Sequence, residues 1–294
     1  MKVLVTGAGG FVGRNLIKFL SKNNIYVYAL INKSNGENKK KIFYIKKNIN
    51  KLKKIPHKID CLIHLAVKNP EDTSGPRLFK ENIEITRKIL ELSKGIKLKK
   101  IIFLSSIAVY ENIKGSVIKE NMLKKSPDSY YSKSKFMCEE MIRNIIGKNI
   151  STWILRAPSI IGNKSRFNAI SDIKQNILDG KQIKINNPNY KYNRILHVET
   201  LNKFILKILK NKKKINTTIH IGSSYPLKFK NIILLMFKKL NKKPHINLLA
   251  NNKKFVLNLS KAKKYKFKPM SVKKTLLKYL NGWFWLCFIN QPHS

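Results

Sequence analysis

Short apolar runs separated by longer amphipathic stretches fill the first half of the chain. The runs are rich in valine, isoleucine and leucine, which is typical of strands buried on both faces of a parallel sheet. We predict strands over residues 2–6, 25–31, 61–65, 101–105 and 152–156.

The stretches between these runs place apolar residues three and four positions apart, which is the spacing of an amphipathic helix. We predict helices over residues 11–20, 82–93 and 130–146. Strands that alternate with helices form βαβ units with right-handed crossovers. The pattern therefore predicts an α/β fold with a doubly wound parallel sheet.

The pattern changes after residue 156, where Asn, Lys and Gly become frequent. We predict further helices and one strand there, over residues 170–178, 201–209, 229–240, 272–280 and, for the strand, 218–221. These segments suggest two lobes. The larger has residues 1–156, to which 193–222 return, and a smaller α+β lobe has residues 157–192 and 223–294.

The charge is strongly basic, with 61 Lys and Arg against 15 Asp and Glu and a formal net charge of +46. Lysine dominates and the basic residues are scattered, whereas nucleic-acid readers favour the bidentate fork of arginine. We interpret the charge as solvated surface, with no specific nucleic-acid partner and with non-specific attraction to polyanions at low salt.

The three cysteines, Cys61, Cys138 and Cys287, are far apart and lack metal-ligand spacing. This predicts no structural disulfide and no metal site, as in a reducing compartment. No apolar run reaches the roughly 18 residues of a membrane-spanning helix, and the N-terminus turns to glycine too soon for a signal peptide. We therefore expect a cytoplasmic protein.

A glycine-rich turn lies between the first predicted strand and the first predicted helix. Gly7, Gly10 and Gly13 allow a tight turn, close approach to a diphosphate and close packing of helix on strand. The helix start at Phe11 and Val12 presents N–H groups and a positive dipole end to the anion. This context predicts a Rossmann-type dinucleotide site formed by these five residues.

Tyr131 and Lys135 are four residues apart on a predicted helix and so share one face. A tyrosine pKa near 10 must fall by about 3 units, or about 4 kcal/mol, before the phenol works as a base at pH 7. A nearby ammonium and a cationic nicotinamide can supply this in a desolvated cleft. Ser105 and Ser106 end a predicted strand at the sheet edge where ligands bind.

Two segments, FLSSIAVY (residues 103–110) and YYSKSKFMCE (residues 130–139), resemble the Ser…Tyr-x-x-x-Lys set of the extended short-chain dehydrogenase/reductases, the NAD-dependent epimerase/dehydratase enzymes of nucleotide sugars. The Gly-x-x-Gly-x-x-Gly spacing is similar too. Other segments resemble family signatures in order: LIHLA (62–66), LRAPSIIG (155–162), RILHVETL (194–201), IHIGSSYPL (219–227) and NLSKAKKYKFKP (258–269).

The resemblance implies roles for three residues. Ser106 would bond the sugar oxygen, Tyr131 would shuttle its proton, and Lys135 would tune Tyr131 and bind the nicotinamide ribose. It also implies a homodimer, and further dinucleotide contacts from Leu65, Ala66 and Pro158.

The cofactor is either NAD or NADP. NAD enzymes place an acidic residue at the end of the second strand, but this chain has Asn32 and Lys33 there. The absence of a carboxylate slightly favours NADP. Asn48 stands where relatives often carry an Asp near the adenine.

Departures from the family pattern narrow the chemistry. Dehydratases of this family carry Asp-Glu after the catalytic Ser or Thr, but this chain has Ile107 and Ala108, which cannot move protons. We therefore do not expect dehydration.

The predicted substrate residues are also altered. Ser159 replaces a common Asn, while Asn193 occupies the position of a diphosphate-binding Arg, with Arg194 displaced by one. We interpret His197 as structural, near a helix start, and Glu139 as helix surface.

These features predict an epimerase or a 4-keto reductase that acts at C4 of a nucleoside-diphosphate sugar. The family favours the epimerase, while the end of the second strand favours the reductase. The alternative is a non-catalytic dinucleotide sensor or scaffold. The aromatic tail, Trp283–Trp285, either packs on the small lobe or associates weakly with anionic membrane.

Overall fold

The structure is a computed structural model. It describes residues 1–289 except 33–35, 56–57, 71–72, 112, 114, 124–125, 146–149, 166–167 and 250–254, with the backbone alone at 145 and 283–289. Contacts divide the chain into two compact units. Unit 1 has Met1–Asn112, Leu123–Arg156 and Asn202–Ile219, and unit 2 has Ile113–Met122, Ala157–Leu201 and His220–Ser294.

A seven-stranded sheet forms the centre of unit 1. Its strands are β1 (Lys2–Thr6), β2 (Tyr26–Ile31), β3 (Ile42–Lys46), β4 (Cys61–His64), β5 (Lys100–Ser106), β7 (Ser151–Ala157) and β12 (Asn216–His220). The order is β3-β2-β1-β4-β5-β7-β12, and the pairs from β3 to β5 are parallel. The order reverses between β1 and β4, which is the position where open α/β sheets bind ligands.

Helices follow the strands of this sheet, as predicted. They are α1 (Phe11–Lys22), α2 (Gly75–Lys94), α3 (Tyr130–Ile145) and α5 (Val198–Lys210), the last of which starts in unit 2. One hydrophobic core joins the strands to the helices through Leu4, Leu62, Ile89, Phe103 and Ile142. The predicted α/β class with a Rossmann-type sheet is therefore confirmed.

Unit 2 contains short strand pairs and helices. Its strands are β6 (Val117–Ile118), β8 (Ser159–Ile161), β9 (Ile183–Asn186), β10 (Lys191–Tyr192), β11 (Ile195–His197), β13 (Leu227–Lys228), β14 (Ile246–Leu249) and β15 (Val256–Leu257). Its helices are α4 (Ala169–Leu178), α6 (Phe229–Lys239), α7 (Ser260–Lys264) and α8 (Val272–Ile289). The core of this unit includes Ile170, Ile195, Ile233, Met236 and Leu276.

The contact units differ from the predicted lobes at three places. Residues 113–122, 193–201 and 220–222 belong to unit 2. The larger lobe was predicted to bind the dinucleotide and the smaller lobe the substrate, and both assignments stay predictions.

Helix α8 runs nine residues beyond its predicted end. The side chains of Trp283–Trp285 lie outside the description, so neither reading of the aromatic tail is decided. Within the residues that the structure covers, no helix combines the length and apolarity needed to cross a membrane.

Candidate active site

The turn after β1 is built around Gly7, whose φ is +67°. A side chain is strained in this left-handed conformation, and a Cβ here would also lie 2.7 Å from Ala66 N. Gly13 is required for space, because its Cβ would overlap the carbonyl oxygen of Gly7. These two glycines let β1, α1 and the segment after β4 pack closely.

Gly10 has no such constraint from the protein. Its φ of −76° suits any residue, and beyond its chain neighbours a Cβ would meet only Gly7 O, at 3.4 Å. Gly10 is also the N-cap of α1, so the N–H groups of Phe11 and Val12 are the donors that an anion would meet. A glycine that the protein's packing does not need fits the close approach of a dinucleotide diphosphate.

Thr6 and His64 end the adjacent strands β1 and β4 and hold each other. Thr6 Oγ1 lies 2.7 Å from His64 Nδ1 and accepts the N–H groups of Leu65 and Ala66, each at 3.2 Å. The two residues expected to line the dinucleotide are therefore fixed where the strand order reverses.

His64 is an uncharged member of this junction. Its Nε2 lies 3.1 Å from Thr86 Oγ1 on α2. Burial lowers the pKa of His64 to about 3, and the charge of Lys135 adds to the effect. The imidazole therefore stays neutral at physiological pH.

The residues expected near the adenine ribose follow β2 and β3. Asn32 is exposed after β2. The side chain of Asn48 accepts the N–H of Asn50 at 2.9 Å and caps a short 3₁₀ turn. Lys33 lies outside the described residues. Neither asparagine brings the negative charge that would repel a 2′-phosphate.

Lys135 is the buried centre of the predicted catalytic set. Its Nζ donates to Leu104 O on β5 at 3.0 Å and lies 5.0 Å from the centre of the Phe103 ring. Burial lowers the pKa of Lys135 to about 8, so the side chain is still mainly an ammonium at pH 7. The bond to β5 places this charge two residues from Ser106.

Ser106 and Tyr131 are the two other residues of the predicted catalytic set. Ser106 ends β5, and its Oγ accepts the N–H of Ala108 at 3.1 Å. Because the hydroxyl acts as an acceptor there, its proton can be donated to a ligand. Tyr131 is partly buried in the first turn of α3, one turn before Lys135, whereas Tyr130 is 45% exposed.

The interpretation of Glu139 as helix surface is wrong. Its carboxylate is fully buried and accepts hydrogen bonds from Ser105, Arg143 and Arg156. Arg156 comes from β7 and also bonds the Tyr110 hydroxyl. The sequence held one signal, since residues 131, 135 and 139 are spaced by four and share a helix face.

Sequence reasoning also missed Glu111. Its carboxylate accepts the Ser129 N–H and hydroxyl, each at 2.6 Å, and the Ser132 hydroxyl at 2.8 Å. Burial raises the pKa of Glu111, but these hydrogen bonds outweigh it and the pKa is lowered. The carboxylate thus ties the segment after Ser106 to the start of α3.

The predicted substrate residues lie in unit 2. Ser159 pairs with Ile195 in register, next to Arg194. The Arg194 guanidinium lies 5.0–5.8 Å from the centres of the Tyr190, Tyr192 and Phe255 rings. Its Nε is buried and makes no hydrogen bond to the part of the chain that the structure describes.

Asn193 has a different environment. Its side-chain amide donates to Leu257 O and accepts the Leu257 N–H, both at 2.9 Å. Pro158 is buried between β7 and β8. His197 Nδ1 accepts the Glu199 N–H at 3.3 Å at the start of α5, while its structural role stays a prediction. Of the neighbouring pair, Arg194 is therefore better suited than Asn193 to meet an anion.

Sequence comparison finds related enzymes. The N-acetyl-α-D-glucosaminyl-diphospho-ditrans,octacis-undecaprenol 4-epimerase of Escherichia coli O157:H7 is 27% identical, over 92% of this chain and 84% of the relative. The UDP-2-acetamido-2,6-β-L-arabino-hexul-4-ose reductase of Pseudomonas aeruginosa is 27% identical, over 77% of this chain and 54% of the relative.

Structural comparison gives the same fold. The UDP-glucuronic acid 4-epimerase of Bacillus cereus in complex with NAD superposes with a TM-score of 0.82 and 24% identity, covering 96% of each chain. The model of the NAD dependent epimerase/dehydratase family matches residues 3–222. That match covers most of the chain and includes the glycine turn, Ser106, Tyr131 and Lys135. The chain therefore belongs to the NAD dependent epimerase/dehydratase family.

Proposed function

We propose that this protein is an NAD-dependent 4-epimerase of a nucleoside-diphosphate sugar. The observation that carries the proposal is the buried ammonium of Lys135, held on Leu104 O beside Ser106 and one turn after Tyr131. The E. coli relative, which matches over most of its length, is also a 4-epimerase.

Gly10, Phe11 and Val12 would hold the dinucleotide diphosphate, with Leu65 and Ala66 alongside. When bound, NAD supplies a reversible acceptor for the hydride at C4. Binding the cofactor at this junction leaves the proton chemistry to side chains of the chain itself.

Tyr131 would take the proton of the C4 hydroxyl and later return it to the C4 oxygen. A phenol with a pKa near 10 needs about 4 kcal/mol of help to act at pH 7. The ammonium of Lys135 supplies part of this electrostatically, since burial reduces the screening of its charge. Ser106, whose hydroxyl accepts from Ala108, would donate its proton to the sugar oxygen.

Arg194 would bind the diphosphate of the sugar nucleotide. Its guanidinium rests on three aromatic rings, which orient it while leaving Nε as an unused donor toward the described residues. Ser159 is the neighbouring candidate for a hydroxyl contact, whereas the amide of Asn193 already holds Leu257.

A 4-keto reductase that uses NADP is the second candidate. It is favoured by Asn32, which replaces the expected carboxylate at the end of β2. The reductase consumes one NADPH per turnover, whereas the epimerase returns the hydride and consumes none.

The test uses purified protein with UDP-glucose, UDP-N-acetylglucosamine or UDP-glucuronic acid labelled with deuterium at C4. Formation of the 4-epimer, with deuterium retained and no added cofactor consumed, supports the epimerase. Tyr131→Phe should abolish turnover, while the adjacent exposed Tyr130→Phe serves as the matched control. Turnover that survives Tyr131→Phe would reject the assignment.

The non-catalytic sensor predicts nucleotide binding without turnover in the same assay. A cytoplasmic location, a homodimer and weak association with anionic membrane stay predictions. Light scattering of the purified protein tests the dimer, and co-sedimentation with phosphatidylserine vesicles tests the membrane contact.

A further inference from the structure

A buried carboxylate joins the strand and the helix that carry the predicted catalytic residues. Ser105 on β5 is 3% exposed and Glu139 on α3 is fully buried. The Ser105 hydroxyl donates to Glu139 Oε1 at 2.5 Å. This short bond to an ionised acceptor belongs to the strong class of hydrogen bonds.

Two arginines compensate the charge of this carboxylate. Arg156 from the neighbouring strand β7 donates through Nε to Glu139 Oε1 at 2.9 Å and through Nη2 to Oε2 at 2.7 Å. Arg143 Nη2 reaches Oε2 at 2.8 Å. A buried charge held from both sides has a fixed position, because moving it would leave ions unpaired in a low-dielectric site.

The hydrogen bond between Ser105 and Glu139 lies close in sequence to the predicted catalytic residues on both β5 and α3. Ser105 is the chain neighbour of Ser106, and Glu139 lies one helical turn beyond Lys135. Lys135 itself bonds Leu104 O, so two contacts in succession fasten α3 to the last residues of β5. A shift of α3 along β5 would break both contacts.

We propose that Ser105 and Glu139 are positioning residues, which keep Ser106 close enough to Tyr131 and Lys135 for the three side chains to act on one substrate. The proposal rests on the 4-epimerase function. Glu139 has no exposed surface and cannot touch a substrate, so it acts only through the elements that it joins.

The main test is Ser105→Ala, which removes the link while leaving both arginines on Glu139. We expect kcat to fall about 10- to 100-fold with little change in KM, because a small misplacement of catalytic groups has effects of this size. The control is Ser151→Ala on β7, which removes a similarly buried serine bonded to Ile215. It should lower stability without lowering kcat.

A second variant, Glu139→Gln, removes the charge near Lys135 and probes the pH dependence. We expect the fall of its residual kcat/KM at high pH to shift to lower pH, because the charge of Glu139 raises the pKa of Lys135 and its loss lets Lys135 lose its proton sooner. A loss of stability alone would lower the amount of active protein and leave the profile in place.

Wild-type turnover is measured first, so that a failure of the epimerase proposal can be distinguished from a failure of the positioning proposal. An inactive wild type would overturn the epimerase and the positioning role together. With an active wild type, a normal kcat for Ser105→Ala, an equal loss of kcat for Ser151→Ala, or an unshifted profile for Glu139→Gln would overturn the positioning role alone.

Discussion

The hydrogen bonds of Glu111 at the start of α3 allow a quantitative test of how much this carboxylate stabilises the fold. Glu111→Ala removes the acceptor for two hydrogen bonds from Ser129 at 2.6 Å and one from Ser132 at 2.8 Å. Loss of a helix cap costs about 1 kcal/mol, and loss of a negative charge at a helix N-terminus costs about 0.3–1 kcal/mol. Since Glu111 is exposed and water replaces part of the loss, we expect the free energy of unfolding to fall by about 1–2 kcal/mol.

Urea denaturation measures this loss, with Glu91→Ala as the control. Glu91 pairs with Arg87 at 2.7 Å on the exposed face of α2 and should contribute only about 0.3–0.5 kcal/mol. The pKa of Glu111 is lowered in the folded state, so its contribution is present above the unfolded value near 4.3 and disappears as pH falls through the lowered folded value. Two results would refute this explanation. One is an equal loss of unfolding free energy for the two variants, and the other is a stability difference between Glu111→Ala and wild type that persists at pH values below the folded pKa of Glu111.

Three further outcomes are expected. Gly10→Ala should fold normally but weaken NAD binding at least about tenfold in calorimetry, whereas Gly13→Ala should lower the melting temperature because its Cβ overlaps backbone. Equal melting temperatures for the two variants would contradict this. Arg156→Met leaves the buried Glu139 with less compensation and should cost about 3–5 kcal/mol in urea denaturation; a loss below about 1 kcal/mol would count against it. The kcat/KM profile should fall as pH rises through about 8, where Lys135 loses its proton; a flat profile to pH 10 would exclude the ammonium's role.

The central sheet was largely predictable because its strands are continuous apolar runs. The strand over 2–6 is confirmed at both ends, and the other predicted strands shift by one or two residues. β3 was not assigned a range because this edge strand is half-exposed and its pattern is mixed. α2 starts seven residues before its predicted start, since its first turns carry glycine, proline and charges.

Unit 2 was less predictable because many of its strands are too short to show a period. β6, β10, β13 and β15 have two residues each and are defined by their partners. Pairs such as β6 with β15 join segments more than a hundred residues apart. Local pattern carries no record of such distant pairing.

Within the candidate site, the predictable part was the part with chemical meaning. The glycine turn, Ser106, Tyr131 and Lys135 stood out because their chemistry demands those residue types and that spacing. Glu139 was misread because a carboxylate on a helix is usually exposed, and its burial depends on an arginine from another strand. The supporting contacts are tertiary and have no local signature.

The neutral imidazole of His64 makes the whole fold sensitive to acid. Its pKa is about 3 when folded, against 6.5 for the free side chain, so between these values only the unfolded chain takes up a proton. Each pH unit below 6.5 then shifts the balance toward unfolding by about 1.4 kcal/mol, or about 2 kcal/mol by pH 5. A protein with a margin of about 5–15 kcal/mol would lose a substantial share of it in a mildly acidic environment, before any catalytic group had changed its charge.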